Sequence, residues 1–281
     1  MSYLAPAEFV TKMVDAGEEK IHMSTRDTVI RAFMAGAILA LAAVFAITVA
    51  TKTGSLLVGS ILFPVGFIML YLMKFDLLTG VFTLVPLALL DKRPGVNMQQ
   101  LLRNWGLVFI GNFAGALTVA FMMSFILTYG YNTDGGAIAA KVASIGESRT
   151  LGYASHGADG WFTIFIRGML CNWMVSMGVV GAMISTSATG KMAAMWMPIM
   201  LFFFMGFEHS IVNMFLFPFS MIMGGEFTFM EYVVWNELPT ALGNLVGGFC
   251  LVGLPLYMTH VRTKAKAKAT LDTTTGTTRT A

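Results

Sequence analysis

Long apolar runs alternate with short polar connections along most of this chain. The runs predict six membrane-spanning helices, near residues 28–51, 56–73, 102–128, 161–186, 192–207 and 239–260. A helix needs about 20 predominantly apolar residues to cross a bilayer, and these runs are of that order. The pattern therefore predicts an all-α integral membrane fold.

Two further apolar segments, 76–90 and 210–223, are too short to cross a bilayer alone. Each follows a predicted span across one carboxylate, Asp76 in the first case and Glu208 in the second. We interpret them as the second halves of two broken helices, with a kink or loop at each carboxylate. Irregular backbone at membrane depth is tolerated only where it is buried in protein or lines a water-filled cavity. The sequence thus predicts two irregular loops that face one another.

Both breaks belong to a pattern that occurs twice. Phe75-Asp76 and Phe207-Glu208 are 132 residues apart. The same offset relates other pairs: Pro86 and Pro218, Asn104 and Asn236, and the Gly-Asn pairs at 111–112 and 243–244. Matched interruptions in two related halves are typical of channels and transporters built from internal repeats.

Composition sharpens the class of protein. The 281 residues are 56% hydrophobic and only 12% charged, which leaves no room for a soluble catalytic domain. The only two cysteines, Cys171 and Cys250, lie in apolar segments and argue against a disulfide framework or a cysteine-rich metal site.

The distribution of basic residues predicts an orientation. With six crossings both termini share a side, which collects thirteen Lys and Arg residues against four on the other side. The positive-inside rule then places both ends in the cytoplasm. Three crossings per half make the repeat inverted. We divide the chain into a cytoplasmic segment 1–27, a membrane channel domain 28–262 with repeats at about 28–128 and 161–260, and a disordered cytoplasmic tail 263–281.

One histidine, His209, lies at mid-membrane depth. A lone imidazole can neither ligate a haem from both sides nor supply a common metal site. No nucleophile–histidine arrangement stands out in the spans, so we expect no metal, no cofactor and no enzyme activity. His209 can donate hydrogen bonds and titrate near physiological pH. Its place beside Glu208 at a predicted break favours a functional role over simple packing.

Other residues cluster around the two loops. We expect Asp76 and Glu208 to be loop scaffolds that accept backbone N–H bonds freed by the breaks, with Lys74 as a candidate partner of Asp76. Neutral polar candidates are Thr79, Asn172, Ser210 and Asn213. Apolar candidates for a dewetted constriction are Phe63, Phe67, Leu77, Leu78 and Phe202, although ordinary packing explains any one of them as well.

The string Glu208-His209-Ser210-x-x-Asn213-Met214 closely resembles the signature of the formate/nitrite transporter family. Asp76-Leu77-Leu78-Thr79-Gly80 and Leu170-Cys171-Asn172-Trp173 fit it as well, and the resemblance runs from about residue 4 to 262. It implies an aquaporin-like protomer with an inverted repeat of three plus three helices. It also implies a homopentamer in which every protomer has its own pore for formate, nitrite or hydrosulfide.

The resemblance also implies residue roles. His209 would be the central histidine, Thr79 the loop threonine, Asn172 a pore-facing asparagine and Lys20 the lysine of the cytoplasmic vestibule. One constriction would combine Phe63 and Phe67, and the other would combine Leu77, Leu78 and Phe202. At the first loop, Lys74, Phe75 and Leu78 depart from the residues that are usual in the family.

The expected function is a channel of the inner (plasma) membrane for small weak-acid anions, most of all formate. The anion would hydrogen-bond to His209, take up a proton and cross the apolar ring as a neutral acid. Expected partners are the anion, the lipid bilayer and identical subunits, and not nucleic acid. Nitrite or hydrosulfide is the alternative substrate. A neutral-solute channel is less favoured because the chain lacks the paired Asn-Pro-Ala motifs of such channels. A membrane enzyme or haem anchor is disfavoured by the single central histidine.

Overall fold

The structure is a computed structural model that describes residues 3–261, and it is built from helices. The expected tail 263–281 lies outside the described residues. The helices used below are α1 (Pro6–His22), α2 (Thr25–Thr53), α3 (Leu56–Leu72), α4 (Leu78–Leu90), α5 (Met98–Leu127), α6 (Gly136–Ser148), α7 (Gly157–Ile184), α8 (Ala188–Phe204), α9 (Ser210–Ile222) and α10 (Phe229–His260).

Four helices, α2, α5, α7 and α10, are long and apolar enough to cross a membrane. The two breaks occur where the sequence predicts them. Helix α3 ends at Leu72 and α4 begins at Leu78, and helix α8 ends at Phe204 and α9 begins at Ser210. These four shorter apolar helices thus form two interrupted pairs, with Asp76 and Glu208 in the interruptions.

Glycines bring the long helices into close contact in pairs. A Cβ atom at Gly115 of α5 would lie 2.0 Å from the carbonyl oxygen of Phe33 in α2. At Gly247 of α10 it would lie 2.1 Å from the carbonyl oxygen of Met169 in α7. Small residues allow this approach of backbones, which is how helices pack tightly in lipid. Gly115 and Gly247 are 132 residues apart, which is the offset of the repeat. The long helices of both halves therefore pack through a glycine at the equivalent position.

Helix α1 lies within the segment 1–27, for which the sequence pattern predicts no structure. Its buried side chains Val10, Met13 and Val14 pack with Leu84 and Leu87 of α4. The amino-terminal segment is therefore a helix docked against the second half of a broken helix.

Two other elements differ from the prediction. Helix α6 was not expected. Helix α10 begins at Phe229 rather than near residue 239. The sequence pattern predicts the later start because Glu231 and Glu237 lower the hydropathy of the first turns. Glu237 is nevertheless buried, since its carboxyl group accepts hydrogen bonds from the hydroxyls of Ser210 and Tyr232.

Candidate functional site

The backbone of the first break is held by one amide side chain, that of Asn112 in α5. Its Nδ2 donates to the carbonyl oxygens of Asp76 (2.9 Å) and Ala32 (2.7 Å), and its Oδ1 accepts from the N–H of Leu78 (2.9 Å). Asn112 is fully buried. It therefore bonds backbone groups that the interrupted helix leaves free, which is a requirement in an apolar medium.

The second break is held in the same way by Asn244 in α10. Its Nδ2 donates to the carbonyl oxygens of Glu208 (2.9 Å) and Gly168 (2.7 Å), and its Oδ1 accepts from the N–H of Ser210 (3.0 Å). The repeated Gly-Asn pairs in the sequence were the signal for these residues, but sequence reasoning gave them no role.

The expectation that the break carboxylates bond the freed backbone N–H groups is wrong, because the two asparagines do so. The side chain of Asp76 instead forms an ion pair with Lys20 of α1, and not with Lys74. Asn104 of α5 donates to the backbone carbonyl of Lys20 (3.1 Å). The first break is thus tied to the amino-terminal helix.

Glu208 has an equivalent partner in Arg149, at 3.7 Å. Asn236, the repeat counterpart of Asn104, donates to the carbonyl oxygen of Arg149 (3.0 Å). Asn213 also donates to the Glu208 carboxylate (3.0 Å). Glu208 is completely buried, and a buried charge is tolerated when it is paired and hydrogen-bonded. Each carboxylate is therefore paired with a cation from outside its own broken helix.

The two breaks meet at His209 and Thr79. The Nε2 atom of His209 lies 3.3 Å from the Thr79 hydroxyl oxygen. The Nδ1 atom accepts a hydrogen bond from the backbone N–H of Val212 (3.3 Å), which caps helix α9. A nitrogen that accepts a hydrogen bond carries no proton, so the neutral ring has its proton on Nε2. That N–H points toward Thr79.

Aromatic rings cover one side of His209. The Phe202 ring lies nearly parallel to the imidazole, with centroids 5.5 Å apart. Phe63 packs edge-on against Phe202 (5.6 Å) and stacks on Phe203 (4.0 Å). This cluster makes the surroundings of the imidazole apolar on that side.

Asn172 of α7 joins the two breaks. Its Nδ2 donates to the carbonyl oxygen of Thr79 (3.2 Å) and to that of Asn244 (2.6 Å). The side chain is fully buried. Asn172 thus fixes the position of Thr79 relative to the helix that holds the second break.

Two cavities lie at the breaks. The larger, of about 370 Å³, lies between α1 and the first break and is lined by Lys20, Phe67 and Leu77, among others. The smaller, of about 110 Å³, is lined by Phe202, His209, Asn213 and others.

These contacts group the constriction candidates differently from the expectation. Phe67 shares a cavity with Leu77, whereas Phe63 packs against Phe202. Leu78 is buried, and its N–H is bonded to Asn112.

In the described part of the chain, no group of three or more His, Cys, Asp or Glu side chains is arranged to hold a metal ion.

Comparison with known proteins decides the family. The family model described as formate/nitrite transporter matches residues 7–258. The chain belongs to the formate/nitrite transporter family. The resemblance that the three sequence motifs indicate is thereby confirmed. The protein is a multi-pass membrane channel or transporter and not an enzyme.

Relatives from the formate/nitrite transporter family align over almost the whole chain. A protein of Methanothermobacter thermautotrophicus named "Probable formate transporter" is 31% identical over 277 residues, which cover 93% of this chain and 98% of its own. The formate channel FocA of Escherichia coli is 31% identical over 285 residues, which cover 92% of this chain and 95% of its own. An uncharacterized transporter of Bacillus subtilis, YrhG, is also 31% identical, with 92% and 95% covered.

Solved structures of the family share the fold. A structure titled "Pentameric formate channel with formate bound" superposes with a TM-score of 0.69 at 25% identity, covering 83% of this chain and 96% of that one. A structure titled "FNT family ion channel" superposes with a TM-score of 0.77 at 22% identity, covering 89% and 98%, and at that identity it supports the fold alone.

Proposed function

We propose that this protein is a homopentameric channel for small monovalent weak-acid anions, with formate as its principal substrate. Two relatives at 31% identity are named for formate, and a solved relative is titled a pentameric channel with formate bound. The observation that carries the proposal is the contact between His209 and Thr79 at the meeting point of the two breaks (3.3 Å). His209 lines the smaller cavity, and Gly80, the neighbour of Thr79, lines the larger one.

The proposed topology has six crossings in an inverted repeat of three plus three helices, with both termini in the cytoplasm of the cell and the channel in the inner membrane. The equivalent bonds of Asn112 and Asn244 support two related halves. The proposed domains are the segment 1–27, the channel 28–262 and the tail 263–281. The larger cavity, beside α1 and Lys191, would then be the cytoplasmic vestibule.

Entry of an anion depends on electrostatics, because desolvation of a charge at mid-membrane costs several kcal/mol. Helices α4 and α9 both begin at the breaks, and each helix amino terminus carries about half a positive charge. Their positive ends therefore lower the energy of an anion at the meeting point of the breaks. Lys20 and the other cations of the vestibule add to the local anion concentration.

At the centre, His209 donates a hydrogen bond through Nε2, and the Thr79 hydroxyl provides a second donor. Asn172 and Asn213 hold the surrounding backbone and the Glu208 carboxylate. The apolar residues of the two constrictions, Phe63, Phe67, Leu77, Leu78 and Phe202, exclude the hydration shell of the anion. Asp76 and Glu208 keep the two loops in place through their cations.

Proton coupling through His209 has a specific structural requirement. A ring that delivers a proton must first carry protons on both nitrogens, and Nδ1 then loses the hydrogen bond from Val212 N–H. Protonation of the ring is thereby linked to the first turn of α9. The anion that takes up a proton crosses the apolar constriction as a neutral acid, at a smaller desolvation cost.

A flux assay with purified protein in liposomes tests the function. Formate should pass fastest, nitrite and hydrosulfide should also pass, and chloride should pass poorly because its conjugate acid is strong. Osmotic swelling with glycerol should match that of empty liposomes. Glycerol flux above that of formate would favour a neutral-solute channel instead. Nitrite flux far above formate flux would reassign the substrate within the family.

A further inference from the structure

Lys74 occupies a backbone position that favours glycine. Its φ angle is +57°, in the left-handed region, and its repeat counterpart Gly206 has a φ of +64°. Both residues end the helix before a break with an equivalent hydrogen bond. The N–H of Lys74 bonds to the carbonyl of Tyr71 (3.0 Å), and that of Gly206 bonds to the carbonyl of Phe203 (3.1 Å). A side chain at this position strains the backbone, and glycine avoids the strain.

Lys74 is also one of the residues that line the larger cavity. Among its described lining residues are five basic and three acidic side chains, which leaves an excess of two positive charges. The basic ones are Lys12, Lys20, Arg31, Lys74 and Lys191, and the acidic ones are Asp15, Glu19 and Asp76.

The charge of Lys20 is compensated by an acidic side chain. Lys20 is paired with Asp76, and Asp15 is paired with Arg93 (2.7 Å). Lys74 forms no ion pair with any acidic residue of the described chain. It is also only two residues from Asp76 and three from Leu77, and all three line the same cavity. The uncompensated charge nearest the break along the chain is therefore that of Lys74.

We propose that Lys74 recruits the permeating anion into the larger cavity. The proposal rests on the proposed function, because the cavity must be a vestibule of the pore. It adds Lys74 to the vestibule cations that attract the anion. Lys20, whose charge is paired with Asp76, also ties α1 to the first break.

Lys92 offers a matched control. It has the same charge and a similar left-handed φ of +55°, and its repeat counterpart is again a glycine, Gly224 with φ +94°. It ends α4 as Lys74 ends α3. Among the described residues it is not part of the cavity lining. A general effect of surface charge or backbone strain should therefore appear equally at both lysines.

The test is initial formate influx into liposomes of phosphatidylcholine, which has no net charge. The variants are Lys74→Gln, Lys74→Arg, Lys74→Gly and Lys92→Gln, compared with wild type. At an ionic strength of about 10 mM and low formate, Lys74→Gln and Lys74→Gly should pass formate about two to three times more slowly, the factor for one unit charge about 8 Å away across water. At about 1 M salt the difference should vanish. Lys74→Arg should restore the flux, and Lys92→Gln should equal wild type.

Thermal unfolding in detergent separates recruitment from a structural role. Lys74→Gly should unfold at the wild-type temperature or higher, because it relieves the strained backbone while its flux falls. Wild-type flux in Lys74→Gln at low salt, or an equal loss in Lys92→Gln, would overturn the inference and leave the proposed function standing. Absence of formate flux in the wild type would overturn the proposed function and this inference with it.

Discussion

The asparagine at each break offers a direct test of how the interrupted helices are stabilised. Asn244→Leu keeps a side chain of similar volume but removes three buried hydrogen bonds. These join Asn244 to the carbonyl oxygens of Glu208 (2.9 Å) and Gly168 (2.7 Å) and to the N–H of Ser210 (3.0 Å). The N–H of Ser210 and the carbonyl of Glu208 belong to the irregular backbone of the break.

The expected cost follows from these bonds. Interhelical hydrogen bonds in membranes contribute about 0.6 to 2 kcal/mol each. An unpaired buried backbone group costs about 1 to 3 kcal/mol. Three bonds, two of them to break backbone, therefore predict a loss of about 3 kcal/mol in the free energy of unfolding.

The assay is unfolding of the purified protein in mixed micelles with increasing SDS, followed by helical circular dichroism. Asn112→Leu should cost about the same, because Asn112 makes three bonds of the same kind at the first break. Thr118→Val is the control, since the exposed Thr118 hydroxyl bonds only within its own helix, to the carbonyl of Ala114 (2.8 Å).

The control should change stability by less than about 0.5 kcal/mol. A loss below about 0.5 kcal/mol for Asn244→Leu would refute the role of the asparagine. A large loss at one break with none at the other would refute the equivalence of the two breaks.

Two further predictions concern helix packing and the central site. Gly115→Ala should strongly reduce the yield and stability of the folded protein, because its Cβ would lie 2.0 Å from the carbonyl oxygen of Phe33. Gly106→Ala in the same helix should be tolerated, because its Cβ would have nothing within 4 Å. Size-exclusion chromatography and thermal unfolding measure both effects. Thr79→Val should lower formate flux about tenfold or more while the oligomer persists, because the hydrogen bond between the Thr79 hydroxyl and His209 (3.3 Å) is lost. Thr79→Ser keeps the hydroxyl and should retain most of the flux. Equal flux in Thr79→Val and wild type would remove Thr79 from the pathway.

The sequence predicts the breaks well because a carboxylate in an apolar run is costly. Asp76 and Glu208 therefore locate both interruptions to within a few residues. The repeated Gly-Asn pairs also identify related halves. Their function in holding the backbone depends on tertiary contacts between helices and could not be inferred from spacing.

The partner of Asp76 illustrates why the sequence does not predict the long-range partners of charged side chains. Lys74 is near in sequence, but its left-handed backbone ends the helix, and the ion pair is made by Lys20, 56 residues away. The start of α10 was missed for a related reason. Glu237 reads as polar in sequence, and only the fold supplies the hydroxyls of Ser210 and Tyr232 that allow its burial. Long-range partners of charged groups are set by the fold and not by local pattern.

The central claim is that His209 binds the anion and couples its passage to a proton. His209→Asn is the sharpest variant, because asparagine is a good helix amino-terminal cap and retains an N–H donor but cannot titrate. His209→Ala removes the cap, the donor and the titration together. Circular dichroism and gel filtration would verify that both variants are folded.

The measurement is formate influx between about pH 5 and 8, the range in which a histidine charge can change, with uptake into empty liposomes subtracted. Wild-type flux should rise as the pH falls. His209→Asn should retain part of the flux and lose this rise, and His209→Ala should lose most of the flux. A His209→Asn channel with the wild-type rise toward low pH would contradict proton coupling through His209. Wild-type flux in His209→Ala would contradict a central role for the histidine.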